Sequence, residues 1–95
     1  MPAYMIADIE IFDEPRLDRY REAAPPIVEK FGGRFLASSK EVVGLEGEWR
    51  PDRVVLVEFP SVERATEFFH SPEYQAAIAM RVGAADLKIL VVAGL

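Results

Sequence analysis

A chain of 95 residues, 51% hydrophobic and 28% charged, carries one globular core and excludes both a second domain and a disordered tail. Its net charge of −5 argues against nucleic acid as a partner: the densest basic cluster, Arg16, Arg19 and Arg21, is interleaved with Glu14, Asp18 and Glu22 and reads as a solvated helix face. With no cysteine and one histidine, disulfides, thiolate nucleophiles, iron–sulfur centres and a zinc site within one chain are excluded; no metal or cofactor is expected.

The first ten residues, "MPAYMIADIE", carry no basic leader and do not resemble a secretory signal. The longest apolar run, "ILVVAGL" from Ile89, falls far short of the ~20 residues that span a bilayer. A soluble, cytoplasmic protein without a membrane partner is expected.

Alternation predicts a strand over 3–12, with Ala3, Met5, Ala7, Ile9 and Ile11 on one face and Tyr4, Ile6, Asp8, Glu10 and Phe12 on the other. Helical spacing follows through Phe31. Asp13 serves as a cap, Pro15 sits in the first turn, and a kink or restart is expected at Pro25 and Pro26, which lack N–H groups. Gly32 and Gly33 stop the helix. "RFLAS" and "EVVGLEG" read as a second strand, bent or bulged around Ser38 to Lys40, and "RVVLVEF" as the third. A helix starts at Ser61 and restarts at Ser71–Pro72–Glu73; residues 86–93 form the last strand. The order β-α-β-β-α-β is the ferredoxin-like α+β plan, a four-stranded antiparallel sheet with its helices on one face.

Two helices leave the other sheet face bare. In "RVVLVEFPS" the face with Val55, Val57 and Phe59 is apolar, but so is the face with Val54 and Leu56, and the last strand repeats the pattern. A wet apolar sheet face invites association. The simplest cover is a second copy, giving a homodimer with sheets face to face.

The segments "AYMIADIEI", "FGGRFLA", "LEGEW", "RVVLVEFPS", "SPEYQAAIAMR" and the terminal "LVVAGL" resemble a family of small bacterial proteins known only as a domain of unknown function, within the dimeric α/β-barrel superfamily. "EFPS", "SPEYQ" and the final "GL" are the most specific part. The resemblance implies the ferredoxin-like fold and a barrel-forming dimer, but no activity. Superfamily relatives include cofactor-free monooxygenases, lactone isomerases and haem proteins, so the fold leaves the reaction open.

Three residues are candidates for proton transfer. Asp8 and Glu58 share a sheet face, together with Glu10, if even positions pair with even across the first and third strands; the other register sets Arg53 beside Asp8 and Glu10. His70 is the only imidazole, a candidate base or axial ligand. Tyr4, Tyr20, Trp49 and Tyr74, with Arg81 seven residues after Tyr74, are candidates to line a pocket and orient an anionic or carbonyl-bearing ligand. Each also has an ordinary structural explanation: strand ends in water, an imidazole at a helix end, aromatic cores with polar tips. The leading expectation is a homodimer that binds a small organic molecule. The alternatives are a cofactor-independent enzyme using a carboxylate or His70, and an interaction module with no ligand.

Overall fold

The computed structural model describes residues 1–95. Strand β1 (Ala3–Ile11) leads through a short 3-10 turn (Pro15–Leu17) into α1 (Asp18–Lys30). Then come β2 (Arg34–Ser39), β3 (Arg53–Phe59), α2 (Val62–His70), α3 (Pro72–Ala79) and β4 (Ala85–Ala93). The sheet order is β2-β3-β1-β4, antiparallel at every pairing. This is the ferredoxin-like α+β architecture, with the second helix divided in two.

Two serines make that division. Ser61 Oγ accepts the Arg64 N–H at 3.1 Å and caps α2. Ser71 Oγ donates to the Phe68 carbonyl at 2.7 Å and accepts the Tyr74 N–H at 3.1 Å, so one buried hydroxyl closes α2 and opens α3. Gly33 shows how closely the layers meet: a Cβ there would lie 2.7 Å from Val28 Cγ1 and 2.8 Å from the Phe59 ring.

Odd-numbered residues of β1 and β3 face the helices. Met5, Val57 and Phe59 join Phe68, Tyr74, Val28 and Ala65 in the main core. Phe59 and Phe68 stand 5.3 Å apart between centroids, and Phe68 and Tyr74 4.4 Å. A smaller cluster of Leu17, Ala84 and Ala85 closes the far end.

Three expected details are corrected. Helix α1 runs unbroken through Pro25 and Pro26. The N–H groups they lack would have met the carbonyls of Arg21 and Glu22, both exposed residues, where solvation is expected to offset part of the loss. "EVVGLEG" forms no strand: residues 40–52 make an exposed loop. The Ser39 hydroxyl accepts the Glu41 N–H at 2.9 Å and turns the chain out of β2. The bulge falls earlier than expected, between Phe35 and Ala37.

Candidate functional site

Helix α2 packs on β1, β3 and β4, whereas α1 leans chiefly on α3 and stands off the sheet. The residues that meet across this gap are small, Ala7 on the floor and Ala24 on the roof. Tyr20 and Tyr74 prop the layers apart at one side, their hydroxyls hydrogen-bonded at 2.7 Å and their rings edge to face at 6.3 Å. The result is a cavity of about 420 Å³. Ala7, Ile9, Val55 and Ile89 form its floor, and Ala24, Pro25 and Val28 its roof.

Its polar side chains are few: Tyr20, Tyr74, Arg21, Ser38 and Arg53. Tyr74 is 2% exposed. Burial, then the neighbouring Tyr74, pushes the Tyr20 phenol above its ordinary range, so it stays neutral. Arg81 lies beyond α3 with its guanidinium 5.4 Å from the Tyr20 ring centre, behind the cavity wall. Arg21 is neutralised by Glu14 at 2.7 Å and Asp18 at 3.7 Å.

The bulge brings Ser38 to this wall. Phe35 pairs with Val57 and Ser38 with Val55, because Leu36 is the extra residue between Phe35 and Ala37. Without it, residues of opposite parity would face opposite ways. With it, Phe35 and Ser38 both line the cavity. Ser38 Oγ then accepts Arg53 Nη1 at 3.2 Å.

The remaining candidates lie elsewhere. Even pairs with even across β1 and β3, so Tyr4, Asp8 and Glu58 are on the open face, away from the helices. Tyr4 sits opposite Glu58, but Asp8 sits opposite Val54, with the Ile6–Leu56 pair between. Four residues of strand separate the two carboxylates, roughly 13 Å, so they do not form the coupled acid/base pair weighed from the sequence. Asp8 accepts Trp49 Nε1 at 2.6 Å, which ties the 40–52 loop across the open face. Glu58 accepts Arg34 Nε at 2.8 Å, and that bond holds its carboxyl below the usual range. His70 is exposed at the end of α2 and borders a separate groove of about 180 Å³ beside β4. No three His, Cys, Asp or Glu side chains are grouped as metal ligands.

Thus, His70 apart, the seven other sequence candidates divide by the sheet. Tyr20 and Tyr74, with Arg81 behind them, gather on the helix side, and Tyr4, Asp8, Trp49 and Glu58 on the other. Ser38 and Arg53 were not singled out for the pocket. The trace of Arg53 is its parity: it continues the helix-facing series Val55, Val57, Phe59 as a charged member. Ser38 left no such trace, because the bulge that turns it inward is visible only in the pairing.

The chain matches the family described as a domain of unknown function, DUF1330, over residues 2–95, and belongs to it. No curated protein matches the sequence. A protein of unknown function from Rhodopseudomonas palustris has a similar structure, with 22% identity, a TM-score of 0.76, and 99% of this chain and 82% of that one covered. A cofactor-independent oxygenase from Streptomyces nogalater shares the fold at 6% identity and a TM-score of 0.70, covering 99% and 93%. A dimeric ferredoxin-like protein of unknown function from Jannaschia sp. does so at 16% identity and 0.66, covering 99% and 100%.

Proposed function

We propose that this member of the DUF1330 family is a cytoplasmic homodimer that takes up one small organic molecule per subunit, between α1 and the sheet. The carrying observation is the cavity: about 420 Å³ with mainly apolar walls and a few convergent polar groups, the usual form of a small-molecule site. An opening of this size forfeits dispersion contacts that a chain of 95 residues has little reserve to lose, so packing alone gives no reason to keep it. The dimer rests on the open face, where Leu36, Leu90 and Val92 are 44%, 58% and 48% exposed. The Jannaschia neighbour is described as dimeric with the same fold, which supports a second copy as the cover. Nucleic acid and membrane are not part of the reading; no helix is long and apolar enough to cross a bilayer.

The second reading is a cofactor-independent enzyme, favoured by the phenol pair on the cavity wall and by the fold shared with the Streptomyces oxygenase. Binding is preferred because no Asp, Glu, His, Lys or Cys lines the cavity. A base working near neutral pH is normally drawn from those types or from an ionised phenol, and burial pushes Tyr20 away from ionising there. Catalysis by Asp8, Glu58 or His70 would have to occur outside the cavity.

Native mass spectrometry of freshly purified protein tests the proposal. The expected spectrum is a dimer with a retained small mass, or one that gains mass on adding apolar organic probes. Ala24→Phe, which fills the roof, abolishes the gain while preserving the dimer. A monomer contradicts the interface, and uptake unaffected by Ala24→Phe contradicts the cavity.

A further inference from the structure

The cavity wall holds a cation without a counterion. Arg53 lines the cavity beside Ser38, no carboxylate lies within ion-pair distance of it, and its Nε is buried with no hydrogen-bond partner. Its one hydrogen bond spends Nη1 on Ser38 Oγ, at 3.2 Å. Nη2 makes no hydrogen bond and is not among the buried atoms, so it is the donor left over, a cationic N–H group suited to a carboxylate oxygen. Ser38 therefore holds the guanidinium at Nη1 and leaves Nη2 free. A half-buried guanidinium on a mainly apolar wall with no carboxylate beside it is suited to an anion from outside the chain.

The rest of the wall defines the body that such a carboxylate carries. Arg53 sits across from Ile9 on β1, while Met5 and Val57 pair two rows further along, roughly 13 Å away at strand spacing. Phe68 and Tyr74 close that end of the cavity, and Phe35 lies along the side. From this we infer that the cavity selects small aromatic or branched monocarboxylic acids, the carboxylate held by the Arg53 guanidinium through Nη2 and the apolar body directed toward Phe68 and Tyr74. A single unpaired guanidinium balances a single negative charge. A phosphate, near −2, would be left partly unneutralised among apolar walls. Arg81 also has a buried, unpartnered Nε, but it lies outside the cavity lining and cannot reach the same ligand. The inference rests on the cavity being a ligand site, and it adds the chemical class.

The test compares phenylacetate with phenylacetamide, which share shape and differ in charge, on the full chain by calorimetry and methyl-resolved NMR. Phenylacetate is expected to bind at least tenfold more tightly to the native sequence, the usual worth of a charge-assisted hydrogen bond. Arg53→Gln should remove that preference, bringing the acid to the level of the amide, and Arg53→Lys should restore only part of it. Equal binding of acid and amide, with both shifting the Val55 and Ile89 methyl signals, overturns the carboxylate inference and leaves the cavity reading standing. Failure of both probes to move those signals at millimolar concentration overturns the cavity reading and the inference with it. The acid–amide comparison on the native sequence decides the matter even where an Arg53 variant does not fold.

Discussion

Replacing the two phenols one at a time tests how the cavity is held open. Tyr20 and Tyr74 share one hydrogen bond of 2.7 Å, so deleting either hydroxyl leaves the other without its partner. The two losses are unequal. Tyr74 is 2% exposed, and its hydroxyl makes no other hydrogen bond. Tyr20 is less deeply buried and has the Arg81 guanidinium over its ring at 5.4 Å, near enough to favour its ionised form. Tyr20→Phe should therefore strand a deeply buried hydroxyl and cost about 2–3 kcal/mol, the upper part of the range for an unsatisfied buried group. Tyr74→Phe leaves Tyr20 with Arg81 as a substitute donor and should cost about 1 kcal/mol. The double variant removes both hydroxyls and should cost less than the two singles together by at least ~1 kcal/mol. Urea unfolding of the four proteins measures the cycle, and a loss of 1 kcal/mol lowers Tm by roughly 4–8 °C in a domain of this size. Additive losses, or a larger loss for Tyr74→Phe, would refute the pairing as the prop between the layers.

Other outcomes follow from the same geometry. Because burial raises the Tyr20 pKa in the folded state, its contribution is complete below about pH 10, where unfolded tyrosine ionises, and is lost as pH rises beyond that. Alkaline unfolding should accordingly be steeper for the native sequence than for Tyr20→Phe. Glu14 is held down to about 2 by hydrogen bonds from Lys40 first and Arg21 second. The stabilising effect of that charge is present above pH 4.5 and fades as pH falls toward 2; a carboxyl NMR titration should show the midpoint rising more in Lys40→Ala than in Arg21→Ala. On the open face, Leu90→Arg should give a folded monomer by light scattering with unchanged circular dichroism. A dimer that tolerates this charge would place the interface elsewhere.

The fold was legible because its signals are local. Alternation marks β1, β3 and β4, Ser61 and Ser71–Pro72 mark two helix starts, and the doubly apolar "RVVLVEF" marks an uncovered face. Tyr20 and Tyr74 were legible as polar-tipped members of apolar stripes. The cavity was not, since it arises from what α1 fails to touch, and Ala7 and Ala24 look like any other small core residues. Strand pairing decided the rest. The separation of Asp8 from Glu58 depends on which residues lie opposite each other, and the inward turn of Ser38 on a single inserted residue. Pro25 and Pro26 misled because the penalty for proline in a helix falls sharply where the freed carbonyls face water.

Neighbouring residues of β4 offer the most direct test of where ligand binds. Ile89 lines the cavity, whereas Leu90 and Val92 are exposed on the opposite face. In a methyl-labelled sample titrated with phenylacetate, the signals of Ile89, Leu87 and Val57 should shift together and saturate, while those of Leu90 and Val92 stay in place. Shifts confined to Leu90 and Val92, or none at all, would contradict a ligand site between α1 and the sheet.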